Sequence, residues 1–233
     1  MNNPTEHTVT AFDTDIKELR GLIAEIGTRA EKSIEKAMQA LGEHDLDLAQ
    51  QVIDGDRQID ELEQKIDRMV IQTIALRAPM ADDLRELVAA MKISGVVERI
   101  GDYAKNIAKR VAQVDPAHSV EPASLLPSMA RAAAKLVDDA MEAFATRDPD
   151  LAEDVIRADK VVDDFYSSIF RSLITHMIEN PKHIGASAHL LFIAKNLERI
   201  GDHATNVAEM VYYAVTGKTA AERERGDNPL DPE

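Results

Sequence analysis

The chain has 233 residues, no Cys and a formal net charge of −15. That length suits two domains of roughly 100 residues, each able to bury a modest core. Without Cys there are no disulfides and no thiolate metal sites, and a negative field repels nucleic-acid backbones and anionic membrane surfaces, so nucleic acid is not an expected partner. Aromatic residues make up 4% of the chain and Trp is absent, while Ala, Leu, Ile, Val, Glu, Lys and Arg dominate, a composition that packs as helices. No basic stretch followed by an apolar one opens the sequence, and no run approaches the roughly 20 apolar residues of a membrane span. A cytoplasmic protein without direct membrane insertion is expected.

Helical periodicity starts near Phe12. Leu19, Leu22, Ile23, Ile26, Ala30, Ile34, Ala37 and Leu41 recur at the three- and four-residue steps of one helix face. Gly42 and the polar residues after it predict a stop, and Asp45 predicts a fresh cap for a second helix that runs to about Leu76. Pro79 breaks that helix, since proline lacks the amide donor and clashes with the preceding turn. Asp82 or Asp83 is the expected cap of a third helix, to about Val114. Three prolines between Pro116 and Pro127 mark a linker. A fourth helix covers about 127–145 and a fifth starts at Pro149, a residue suited to the first helical position, and runs to about Ile178. A sixth ends near Val215 with Gly217 just beyond. The charged tail is expected to be disordered. The predicted division is thus 8–115, a linker over 116–126, 127–217, and a tail over 218–233.

The two halves repeat one another. "VVERIGDYAKNIAKRV" in the third predicted helix matches "NLERIGDHATNVAEMV" in the sixth, one hundred positions later. A second block, Asp45, Leu48, Ala49, Val52, Ile53, Asp56 and Asp60, returns 103 positions later as Asp148, Leu151, Ala152, Val155, Ile156, Asp159 and Asp163. Two copies of one three-helix unit explain both matches. The fold class expected is all-α, two three-helix bundles in tandem.

Within each copy the acids are ordered. Glu98, Asp102 and Asn106 step by four residues, as do Glu198, Asp202 and Asn206. At about 100° per residue each line lies beside the apolar stripe, with its oxygens able to converge. Asp56, Asp60, Glu63 and Asp67 form a similar line on the second predicted helix. Asp159 and Asp163 repeat the first two, and Tyr166 and Phe170 replace the others. Like charges at this spacing repel, and a hard divalent cation with oxygen ligands would offset that. A solvated acidic face is the simpler account of any single line. Gly101 and Gly201 argue for more, because mid-helix Gly costs about 1 kcal/mol relative to Ala; ligand access, close backbone approach or close helix packing would each justify them.

The doubled ERIGD segments, the Asp-rich blocks before them and "APMADDLR" resemble the PhoU family, from about Phe12 to Lys218. The resemblance implies two tandem three-helix bundles, often paired as a homodimer, and no enzymatic activity. It implies divalent or trivalent metal ions at Glu98, Asp102, Glu198 and Asp202, supplemented by Asp56, Asp60, Asp159 and Asp163. Asn106 and Asn206 fit the same pattern as weaker, neutral ligands. It further implies contacts with the ATPase of the phosphate ABC transporter and with its associated sensor histidine kinase, holding phosphate-starvation genes off when phosphate is plentiful. Two other readings stand beside it: a metal-dependent phosphoester hydrolase, because clustered carboxylates can hold metals and activate water, and a metal-free helical scaffold.

Overall fold

Helix boundaries in this chain follow from its breakers and caps. The computed structural model describes residues 4–114 and 121–220. It contains α1 (Pro4–Glu43), α2 (Leu46–Arg77), α3 (Asp82–Ala108), α4 (Leu126–Thr146), α5 (Pro149–Ala158), α6 (Lys160–Glu179) and α7 (Ile184–Thr216). Asp45 accepts from the Leu48 amide at 2.9 Å to start α2, and Asp148 accepts from Asp150 and Leu151 to start α5 with Pro149 in its first turn.

Several boundaries differ from the sequence expectation. The first helix begins at Pro4, a position where the missing amide proton costs nothing. It runs through Gly42 and stops when His44 turns left-handed, at φ 52°. Ala81 is the residue before α3 and no side chain caps it; Asp82 and Asp83 lie inside the first turn, where the helix dipole favours their charge. α3 ends at Ala108, and a single 3-10 turn, Val111–Gln113, follows. The second half of the expected linker is ordered as a 3-10 turn, Glu121–Leu125, leading into α4. Residues 115–120 of that linker and 221–233 of the expected tail lie outside the described residues. The fifth predicted helix is two, α5 and α6, joined at Asp159. There the Asp159 carbonyl accepts from both Val162 and Asp163, so one tight turn interrupts the regular ladder.

The predicted stripes are the core. Ile93, Val97, Ile100, Ala104, Ile107 and Val111 are fully buried, as are Ile193, Leu197, Ile200, Ala204, Val207 and Val211. They face each other, because α3 packs against α7 more extensively than any other pair of elements. The two run antiparallel: Arg110, near the end of α3, lies 4.3 Å over the ring of Phe192, near the start of α7, while Arg85, near the start of α3, approaches Gly217 at the end of α7. Midway, the rings of Tyr103 and His203 meet edge to face with centroids 5.1 Å apart. These are the same position of the two repeated segments, so the halves are related by a pseudo-two-fold axis beside that contact. α1 and α4 pack on the α3–α7 pair and on each other. α2 lies outside α1 and α3, and α5 and α6 lie outside α7.

A buried carboxylate pins the halves together. Glu86 in α3 accepts from Arg20 of α1 at 2.7 Å and from Arg147, which ends α4 in a left-handed conformation. Its sequence context, between Leu84 and Leu87, gives only a weak sign of this. Charge-assisted hydrogen bonds of this kind contribute more than neutral ones. Replacing Glu86 by Gln is expected to lower unfolding stability by about 2 kcal/mol in urea denaturation. Arg131→Ala, whose only side-chain partner among the described residues is Ser128 on the same exposed helix face, is expected to change little.

Candidate metal centre

Each half forms a seam between its motif helix and the middle helix of its bundle. In the first half, α3 supplies Glu98 and Asp102, and α2 supplies Asp56 and Asp60. In the second half, α7 supplies Glu198 and Asp202, while Asp159 lies at the α5–α6 junction and Asp163 in α6.

The glycines of the repeated segment set how close the seam closes. A Cβ built on Gly201 would sit 2.7 Å from Asp159 Oδ1 and 3.3 Å from Val162. A Cβ on Gly101 would meet Ile59 at 2.8 Å, with Asp56 Oδ1 at 3.6 Å. Close approach of the Asp-bearing helix to the motif backbone is therefore the reason for glycine in both halves. The same contact explains why Asp56 and Asp159 are buried, the latter 1% exposed.

The carboxylates of the first half crowd one another. Burial, then the charge on Asp56, pushes the Asp60 carboxyl above its ordinary value. Burial, then Asp102 and Asp60, does the same for Glu98. The cation in their midst is Lys105, a residue the acidic pattern did not single out. Its ammonium bonds Asp102 at 2.5 Å and bonds Asp56 across the seam. Burial opposes the charge on Lys105, but its hydrogen bonds to Asp102 and Asp56 outweigh that and hold its pKa above the usual lysine range. Lys105 follows Asp102 by three residues, a spacing that puts the two on one face and could have flagged it.

The second half is built differently. Position 205 holds Thr205, fully buried, whose hydroxyl donates to the Gly201 carbonyl at 3.2 Å. The lysine here is Lys195, three residues before Glu198, and it bonds Glu198 Oε1 at 2.7 Å. The other oxygen, Glu198 Oε2, is buried with no hydrogen-bond partner. Burial raises the Glu198 pKa, with the Lys195 bond partly offsetting it and Asp202 and Asp163 adding to it. Tyr166, buried and under the Lys195 ammonium at 5.0 Å, walls the seam where the first half has Glu63.

Asn106 is half-buried one turn beyond Asp102. Asn206, one turn beyond Asp202, lines a cleft of about 580 Å³ with Leu84, Arg85, Met210 and Tyr213. The motif arginines also have a place that spacing alone did not give. Arg199 lies 5.7 Å over Tyr103, and the charge on Arg99 acts on His203, so each reaches the aromatic position of the opposite half.

Among the described residues, no three His, Asp or Glu side chains are gathered into a ready cation cage. Mutual repulsion keeps uncompensated carboxylates apart. The donors are nonetheless all hard oxygens, the kind that take Mg²⁺, Ca²⁺, Mn²⁺ or ferric ions, and Glu198 Oε2 is a buried anionic oxygen without a proton donor. In the second seam, Lys195 already engages Glu198 Oε1. In the first, Lys105 already engages two of the donors.

These features define a class: an all-helical protein of two repeated three-rod units, each closing an acidic seam over a glycine of its motif helix. A family model described as the PhoU domain matches residues 23–111 and again 126–211. The chain belongs to the PhoU family. It is 48% identical over 227 residues to a Zymomonas mobilis protein named phosphate-specific transport system accessory protein PhoU homolog, covering 97% of this chain and 96% of that protein. A Rhizobium meliloti protein of the same name is 42% identical, covering 97% and 94%. The crystal structure of PhoU from Pseudomonas aeruginosa superposes with a TM-score of 0.85 at 36% identity, over 89% of this chain and all of that one. The phosphate transport system regulatory protein PhoU from Streptococcus pneumoniae gives the same TM-score at 26% identity, over 91% of this chain and all of that one. The family is one of accessory and regulatory proteins and not of enzymes, which sets the hydrolase reading aside.

Gly201→Ala is expected to destabilise by about 1–2 kcal/mol, because overpacking against Asp159 and Val162 exceeds the helix-propensity gain. Gly21→Ala, with nothing within 4 Å of the added carbon, should instead stabilise by up to about 1 kcal/mol. Thermal or urea unfolding of the two variants checks the contrast.

The raised Glu198 pKa also predicts a pH dependence. Its folded state holds the proton more tightly than its unfolded state, so its ionisation disfavours the fold as pH rises from the ordinary glutamate value, about 4.3, through the raised one. In chelator, any stability advantage of Glu198→Gln over the parent should therefore shrink as pH falls from about 7 to about 4.5. A difference that stays constant across that range would contradict it.

Proposed function

We propose that this chain is a cytoplasmic accessory regulator of phosphate-specific transport, acting through protein contacts. The reading rests on one observation above all: relatives named as accessory proteins of the phosphate-specific transport system align over nearly the whole chain, both repeats included. The regulator contacts the ATPase of the phosphate ABC transporter and the associated sensor histidine kinase, and keeps phosphate-starvation genes off when phosphate is abundant.

The surface supports work by contact. No helix among the described residues is long and apolar enough to cross a membrane. Large apolar side chains stand exposed around the turn between α2 and α3, at Leu76 and Met80, and at the end of α6, at Ile178. Exposed apolar positions of this kind mark protein contact faces more readily than catalytic ones. The chain pairs as a homodimer in this reading, and the seams hold hard cations: Glu198, Asp202, Asp159 and Asp163 in the second half, and Glu98, Asp102, Asp56 and Asp60 in the first. Such ions would neutralise the acidic faces and fix the spacing of the paired helices.

Deleting the gene should switch phosphate-starvation reporters on in high phosphate, and the intact chain supplied in trans should restore repression. Affinity capture from crosslinked cells should recover the transporter ATPase, the kinase or both. Unchanged reporter output in the deletion strain would overturn the assignment.

A further inference from the structure

Each residue of the repeated Glu-Arg-Ile-Gly-Asp segment has a use in the fold except the arginine. Ile100 and Ile200 are fully buried. Gly101 and Gly201 let the Asp-bearing helix approach. Glu98, Asp102, Glu198 and Asp202 line the seams. Arg99 and Arg199 are exposed in both copies. Other arginines of this acidic chain reach a carboxylate, as Arg20, Arg77, Arg147 and Arg157 do. Among the described residues, the side chains of Arg99 and Arg199 form no salt bridge and no hydrogen bond. The charge on Arg99 acts on Glu98 beside it without a bond between them. Core packing therefore does not account for arginine at both positions, while neighbouring positions diverge, Tyr103 against His203 and Lys105 against Thr205.

The two side chains come together at the pseudo-two-fold axis. Arg199 lies 5.7 Å over Tyr103, Tyr103 meets His203 with centroids 5.1 Å apart, and the charges of both arginines act on His203. Stacking on a ring steadies a guanidinium and leaves its edge donors open. We propose that Arg99 and Arg199, with Tyr103 and His203 between them, bind a small tetrahedral oxyanion of the phosphate class on the exposed face of the α3–α7 pair. Two guanidiniums match a dianion in charge, and each planar fork suits a pair of its oxygens. Two cations brought near one imidazole also gain from a shared counter-ion. The setting favours a small ion over an acidic segment of another protein. A chain of acids crossing this face would meet the carboxylates of the flanking seams, whereas a small anion needs only the central cations. Asp202 also acts on His203 and opposes the anion, so the expected dissociation constant is in the millimolar range. The site takes none of the acidic positions as ligands, and it stands whether or not the seams hold cations.

The test is titration of the full chain, stripped with chelator, with inorganic phosphate at constant ionic strength. Binding is read from the ³¹P line width of phosphate and from the Nε–H resonances of the arginine side chains. The parent should saturate, with the Arg99 and Arg199 resonances moving together. Arg99→Gln and Arg199→Gln should each weaken binding severalfold, and the double variant by about tenfold or more. Arg199→Lys keeps the charge and loses the fork, so it should recover only part of the loss, and it carries the comparison if the Gln variants do not fold. Arg131→Gln should bind as the parent does. A linear, unsaturable response shared by the parent and the double variant would mean an adventitious ion only and would overturn the inference. Saturable binding that the double variant retains would overturn it as well, by placing the anion elsewhere. Neither result would bear on the assignment as a transport regulator, which the reporter experiment tests separately.

Discussion

Carboxylates pressed into the line between two helices must be neutralised, and most of this structure can be understood from how that is done. Asp56 and Asp159 are drawn under their neighbours by the glycine of the motif helix, which removes the one atom that would hold the backbones apart. Once there, they bring Asp60, Glu98, Glu198 and their companions into mutual repulsion in partly desolvated surroundings. Repulsion of that kind is tolerated only with a positive charge close by. In the first half the charge is an ammonium on the same helix as two of the acids. In the second, a lysine meets only one oxygen of the buried glutamate.

The antiparallel pairing of α3 with α7 places both seams symmetrically about the Tyr103–His203 contact. The repeated Ile, Gly and Ala positions face inward and form the common core, while the repeated Glu and Asp positions turn outward to the flanking helices. The repeated Arg positions act across the axis, Arg199 over the Tyr103 ring and Arg99 through its charge on His203. A single short segment thus builds the interface between halves, the cleft within each half and the close approach of its partner helix. Glu86, tied to Arg20 and Arg147, adds a second bond between the bundles away from the axis. A scaffold so cross-linked is suited to present contact faces at a fixed separation.

Much of this could be read from the residues. The stripes from Ile93 to Val111 and from Ile193 to Val211 obey the helical period, and both are buried as expected. Pro79, Pro149 and the capping Asp45 and Asp148 placed most breaks because their effects act within a turn. The end at His44, the unaided start of α3 and the interruption at Asp159 were not legible, since each depends on packing that the local sequence does not contain. The acid lines were legible from four-residue spacing. The roles of Lys105 and Lys195 were less so, because an acidic pattern draws attention away from an isolated base. The reason for Gly101 and Gly201 could not be chosen from sequence, where packing and ligand access predict the same residue. The distances to Ile59 and Asp159 favour close packing. What Arg99 and Arg199 meet is a property of the other half of the chain, which helical spacing does not contain.

The account is tested most directly by urea unfolding of Lys105→Met beside the parent, at about pH 7 and at about pH 4.5. It predicts a variant less stable than the parent at the higher pH, with the gap narrowing at the lower as the crowded carboxylates take up protons. Equal stability of the two proteins at about pH 7 would contradict it.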